Sequence, residues 1–197
     1  MGSSRPSMRY AAIVADPPWP IVWTAGRWRR NGRGEVHNNG KRALDYQTMT
    51  VDEIAALPIN ELAEADAHLY LWTPDRWLID GDAARIARAW GFSPLRLIVW
   101  HKPSPGLGHF PRPAHESVIV CRRGSLPFRV GDVPSVQKWN RPTGWTHVHS
   151  SKPDAFLDLV EQASPGPYLE LFARRNRFGW DTWGNESLEL AEVASGR

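Results

Sequence analysis

The stretch Ala11-Ala12-Ile13-Val14-Ala15-Asp16-Pro17-Pro18-Trp19 decides the fold. Five apolar residues in unbroken succession suit a buried strand. Two prolines then end it, because neither carries an N–H for a strand ladder. Asp16 therefore stands at the carboxyl end of a strand, which is where open α/β sheets bind their ligands.

Working outward, Thr50 and Glu53 have the spacing of a capping box opening a short helix that ends at Pro58. His68–Trp72 reads as a strand stopped by Thr73-Pro74. Ala83, Ile86, Ala87 and Trp90 mark one face of a helix, and Gly91 ends it. Leu95–Trp100 and Glu116–Cys121 read as strands flanking a Gly/Pro-rich loop, Pro103 to Pro113. No firm element is expected from Ser125 to Thr146. Ser151-Lys152-Pro153-Asp154 opens a helix with Ser151 as its N-cap and Asp154 supporting the helix dipole. Its stripe is Ala155, Phe156, Leu159, Val160 and Ala163, and Ser164-Pro165-Gly166 ends it. Tyr168–Ala173 and Phe178–Trp183 complete the strands. Strands alternating with helices argue an α/β fold, a mostly parallel sheet with helices on both faces. Residues 1–7 read as an added leader or disordered tail, 8–190 as a single domain and 191–197 as a C-terminal tail.

The chain has 197 residues, 42% of them apolar, enough for one core. No run approaches the roughly 18 apolar residues of a membrane span, so no membrane partner is expected. A single cysteine, Cys121, excludes an internal disulfide and suits a reducing cytoplasm. One cysteine and seven scattered histidines give no zinc-type spacing, and no metal is expected. A net charge of +3 is a mild bias toward polyanions. Eleven tryptophans can fill a core, and several sit where a flat ligand could be stacked. Trp72, Trp90 and Trp100 are assigned to the core.

An aromatic amine is a poor nucleophile because its lone pair is delocalised into the ring. A carboxylate and a backbone carbonyl that accept its two N–H hydrogens favour a more tetrahedral nitrogen. Asp16 can supply the carboxylate and Pro17 the carbonyl, on a backbone stiffened by Pro18. Trp19 offers a π-face to a base drawn from its stack. Read alone, the tetrapeptide fits a rigid strand-ending turn equally well.

Asp16-Pro17-Pro18-Trp19 after an apolar strand resembles the catalytic motif of the MT-A seventy-kilodalton family of adenine methyltransferases. The resemblance continues through Tyr46-Gln47-Thr48-Met49-Thr50, Leu71-Trp72-Thr73-Pro74, Trp100-His101-Lys102 and His115-Glu116-Ser117. His149-Ser150 with Lys152-Pro153-Asp154 resembles the opening of the cofactor-side helix. Glu170-Leu171-Phe172-Ala173-Arg174 resembles the following strand, and Trp183-Gly184-Asn185-Glu186 the C-terminal signature. Each piece is weak, but their order and spacing are specific.

The resemblance implies a Rossmann-like class I methyltransferase fold with permuted motif order, the catalytic motif first and the cofactor strand late. It implies S-adenosylmethionine as cofactor and the 6-amino nitrogen of adenine in nucleic acid as substrate, DNA before RNA. By analogy with small prokaryotic or phage relatives, the enzyme is a site-specific, adenine-specific DNA methyltransferase of the cytoplasm. No Gly-x-Gly-x-x-Gly loop is present, and a cofactor without pyrophosphate needs none. Asp16, His149, Ser150, Lys152, Phe172, Ala173, Asn185 and Glu186 are implied to surround the cofactor. Lys102, His115 and Glu116 border the substrate side or serve as solvated or structural residues. His147 departs from an arginine common in related sequences. A silent nucleic-acid-binding subunit and an enzyme acting on a cytosine amine are the alternatives, and homo- or hetero-oligomers are compatible with each.

The segment from Ile21 to Tyr46 has little periodicity. It interleaves Arg27, Arg29, Arg30 and Arg33 with Trp23 and Trp28, a mixture suited to phosphate contacts and base stacking. A solvated loop is the other reading of the same residues.

Overall fold

A computed structural model describes residues 8–20, 28–30, 36–38, 48–104, 111–140, 152–173 and 176–183. In chain order the elements are β1 (Tyr10–Ala15), β2 (Trp28–Arg30), β3 (Val36–Asn38), α1 (Val51–Ala55), α2 (Ile59–Leu62) and β4 (Ala63–Thr73). There follow α3 (Asp75–Ile79), α4 (Asp82–Ala89), β5 (Ser93–His101), β6 (His115–Arg123), β7 (Val136–Gln137), α5 (Asp154–Ala163), β8 (Tyr168–Leu171) and β9 (Trp180–Trp183).

Seven strands form one sheet in the order β7-β5-β6-β4-β1-β8-β9. β1 pairs in parallel with β4 and β8, as do β5 with β7 and β8 with β9. The exception to the expected parallel sheet is β6, antiparallel to both β4 and β5. β6 begins opposite the end of β5, His101 pairing with His115, so the chain comes back alongside the strand it has just left and the two pair antiparallel.

Every residue of β1 is buried because it has a strand on each side and an apolar layer on each face. One layer holds Ile54, Trp77, Ile86 and Trp90 from the helical segments α1, α3 and α4 and the C-cap of α4. The other holds Phe156, Leu157 and Val160 of α5 against Ala12, Val14, Tyr70 and Trp72. Full burial of each large apolar side chain contributes about 1.5–3 kcal/mol. Helices thus cover both faces, as the alternation of elements predicts, and Trp72, Trp90 and Trp100 are core residues.

Local chemistry sets the boundaries. Thr50 and Glu53 form the reciprocal capping box of α1. Gly91 takes φ +85° just after the C-cap of α4, a conformation that suits glycine. α3 begins immediately after Pro74 and is too short for periodicity to reveal. The expected Ser151 cap is corrected, for the N-cap of α5 is Pro153. The segment after Ile21 contains a backbone hairpin in which β2 and β3 pair antiparallel.

Candidate functional site

Parallel alignment brings the ends of several strands to one edge. Ala15 lies beside Leu71 of β4 and Leu171 of β8, so Asp16 leaves the sheet between those two strands. Because β6 runs the other way, its first residues reach the same edge: Thr73 pairs with Ser117, Trp100 with Glu116 and His101 with His115. Asp16, Lys102, His115, Glu116, Phe172 and Ala173 are therefore gathered at one rim.

The turn after β1 is held from several sides. The Trp19 N–H donates to the Pro17 carbonyl at 2.8 Å, and the Met49 N–H donates to the Pro18 carbonyl at 2.9 Å. A carbonyl has two lone pairs, so the Pro17 oxygen can accept one further hydrogen. The Trp19 indole donates to the Trp72 carbonyl at 3.0 Å and stacks on Trp77 at 5.3 Å between ring centroids. Trp19 is only 3% exposed. The expectation that it stacks on a base is corrected: its ring belongs to the core and fastens the Asp-Pro-Pro backbone to the end of β4.

Four charged side chains form an alternating chain. Lys152 Nζ lies 2.7 Å from Asp16 Oδ2 and 3.3 Å from Glu116 Oε2. Glu116 Oε1 pairs in turn with Lys102 Nζ. Lys152 Nζ also sits 5.1 Å over the Trp72 ring, and Lys102 Nζ 5.6 Å over Trp100, where the ring faces favour a cation. Burial pushes the Glu116 carboxyl up, but Lys152 and Lys102 outweigh it and hold the group below its ordinary range. Burial likewise opposes the charge of Lys152, and Asp16 and Glu116 reverse that effect, leaving the ammonium harder to deprotonate than usual. Glu116 and Lys152 are thus both held in their charged forms at neutral pH.

His115 turns elsewhere, its Nε2 lying 3.1 Å from Asp75 Oδ1 at the head of α3. Phe172 takes a left-handed backbone with φ 62°, a conformation costly for a bulky residue and concentrated at functional turns. It starts the short return from β8 to β9, and its ring packs edge-on to Trp183 at 5.0 Å. The Ala173 N–H donates to the Trp183 carbonyl at 3.0 Å. The return is pinned by Arg177, which pairs with Glu161 and Asp158 of α5 at 2.8 and 2.6 Å. Burial pushes the Cys121 thiol up to about 12, so it is no nucleophile at neutral pH.

Trp23, Arg27, Arg33, His149, Ser150, Asn185 and Glu186 lie outside the described residues, and Arg29 and Arg30 are described by backbone alone. Sequence reasoning passed over Asp75 as the partner of His115 and Trp72 as the floor beneath Lys152. Trp72 falls on the α5 side of β4 by strand alternation, which was a usable signal; Asp75 gave none.

The model of the family described as MT-A70 matches residues 10–186. The type II methyltransferase M.MunI of Mycoplasma sp is 28% identical over 193 residues, covering 92% of this chain and 79% of that protein. The N(6)-adenine-specific methyltransferase METTL4 of Homo sapiens is 27% identical, covering 93% of this chain but 39% of that protein. The N6-methyladenosine RNA methyltransferase MTA1 of Cryphonectria parasitica is 25% identical, covering 91% of this chain and 52% of that protein.

Proposed function

The chain belongs to the MT-A70 family, and from that premise we propose that it is an S-adenosylmethionine-dependent methyltransferase acting on the 6-amino nitrogen of adenine in DNA. The observation that carries the reading is Asp16, a carboxylate at the end of the central strand beside a carbonyl, Pro17, that can accept one more hydrogen bond.

Asp16 and Pro17 accept the two N–H hydrogens of the amine and draw its nitrogen toward a tetrahedral geometry. Trp19 and Pro18 keep that pair of acceptors fixed, so catalysis rests on positioning and on a carboxylate placed where positive charge develops. S-adenosylmethionine supplies the methyl group on a sulfonium. The residues present suit that cofactor: the partly buried Lys152 ammonium matches a carboxylate, and Phe172 and Ala173 border the same rim. His149 and Ser150 with Lys152 hold the cofactor's amino-acid end, and Asn185 and Glu186 its ribose. Arg27, Arg29, Arg30 and Arg33 contact phosphates, with Trp23 among them as a stacking surface. DNA is placed before RNA because the relative that this chain spans most fully among those above is named a type II methyltransferase.

The test is incubation with isotopically labelled S-adenosylmethionine and, separately, duplex DNA, single-stranded DNA and RNA, followed by nucleoside mass spectrometry. N6-methyladenine in a DNA arm is the expected product. Label confined to RNA overturns the choice of polymer, label on cytosine overturns the base, and no label overturns the reading.

A further inference from the structure

Lys152 occupies the group that the substrate amine needs. Its ammonium lies 2.7 Å from Asp16 Oδ2, with side-chain exposures of 15% for Lys152 and 26% for Asp16. A nitrogen gaining positive charge against that carboxylate would face a second cation across it. Reaction is favoured if Lys152 leaves Asp16. A second seat is already built: Glu116 Oε2 is 3.3 Å from Lys152 Nζ, and Lys102 fixes the other oxygen of Glu116. The ammonium lies 5.1 Å over the Trp72 ring while it faces both carboxylates.

We propose that Lys152 is a latch on Asp16, that Glu116 is the positioning residue that receives it, and that a ligand carboxylate at the rim draws the latch open. This rests on the cofactor reading above and adds an order to it. A ligand bearing a carboxylate binds first, and Asp16 then becomes available to the amine. Binding coupling of this kind is reciprocal, so the carboxylate ligand and the adenine strengthen each other.

The decisive experiment needs no turnover. The Asp16 side-chain carboxyl carbon is followed by NMR in carboxyl-labelled protein, assigned with Asp16→Asn, while ligand binding is measured by calorimetry. S-adenosylhomocysteine, which has the carboxylate, shifts the Asp16 signal toward its position in Lys152→Met. Methylthioadenosine, which lacks it, binds and leaves the signal in place. If S-adenosylhomocysteine binds and Asp16 does not respond, or if both ligands move it equally, the latch is overturned while the cofactor reading stands. If neither ligand binds, the cofactor reading falls and the latch with it.

A kinetic cycle separates positioning from direct contact. At saturating cofactor, Glu116→Gln leaves only the ligand carboxylate to draw Lys152 from Asp16 and lowers the single-turnover rate about tenfold or more, with the cofactor KM changed less than kcat. Adding Lys152→Met to Glu116→Gln restores most of that rate, because no lysine remains to hold Asp16. A double variant as slow as the product of the two single losses overturns the role of Glu116.

Discussion

The two ends of α5 carry polar groups of opposite character. At its start, Lys152 bridges Asp16 and Glu116 in a chain of alternating full charges, each partly open to water. At its end, Ser164 joins His68 and Tyr70 in a neutral cluster with almost no exposure. There the pattern is singular. His68 Nε2 donates to the Leu126 carbonyl at 3.0 Å, so Nδ1 must accept from Ser164 Oγ at 2.8 Å. Ser164 Oγ then accepts from the Tyr70 hydroxyl, also at 2.8 Å. Burial pushes the Tyr70 hydroxyl up to about 12 and, with Arg122 nearby, holds the His68 ring below its ordinary range against the opposing effect of Leu126. A chain of ions with more than one partner each can re-pair when a ligand arrives. A neutral network with one satisfying arrangement cannot, and so it serves to fix the fold.

The sharpest way to break this contrast is at Asp16. Asp16→Ala removes an acceptor aimed at developing charge, a loss typically worth on the order of a hundredfold or more in rate. The Lys152 ammonium keeps Glu116, so no buried charge is stranded and the thermal midpoint stays close to wild type. Single-turnover kinetics and calorimetric melting check both halves. A near-normal rate removes Asp16 from the chemistry, and a collapse of the fold makes the charged end structural.

The converse change belongs at Ser164. Ser164→Ala strips His68 Nδ1 of its donor and the Tyr70 hydroxyl of its acceptor in a site closed to water. Leaving buried polar groups unmatched costs about 1–3 kcal/mol each. Urea unfolding should therefore show a clear loss, while calorimetric affinity for S-adenosylhomocysteine stays within a few fold. A weakened ligand affinity with intact stability would reverse the assignment of the two ends.

What the sequence reveals about these regions follows from how local each signal is. The β1 run, the Thr50–Glu53 box and the Gly91 stop are written in neighbouring residues, and each forms where they indicate. The Asp16 motif was legible as a strand end with chemical promise. The direction of β6 was not, because an apolar run reads alike in either direction and only its pairing decides. Nor was the burial of Trp19, whose indole finds its acceptor 53 residues away. Resemblance points Lys152 toward a cofactor carboxylate, yet its Asp16 partner is 136 residues distant. The charged chain is thus a product of topology, assembled by strands whose ends share one rim.

The smallest expected effect, and the finest test of the contrast, is the response to mild acid. The folded pKa of His68 is lowered, so the unfolded chain binds its proton first, near the ordinary histidine value of 6.5. The stabilising share of the neutral ring is present above that value and lost as pH falls toward the folded pKa. Glu116 is also lowered, from the ordinary carboxyl value of 4.5, so its contribution persists until pH falls well into the acid range. Lys152 is raised from 10.5, so its contribution fails only as pH rises through its folded pKa. Between about pH 5.5 and 7 the neutral end should respond and the charged end should not, with a slope of at most about 1.4 kcal/mol per pH unit for one proton. His68→Gln retains an N–H for the Leu126 carbonyl and removes the titration. Its urea midpoint should lie below wild type at pH 7, with the gap narrowing as pH falls to 5.5. Parallel lines across that window would mean that the ring takes up its proton without disturbing the cluster, and that the neutral end is as able to re-pair as the charged one.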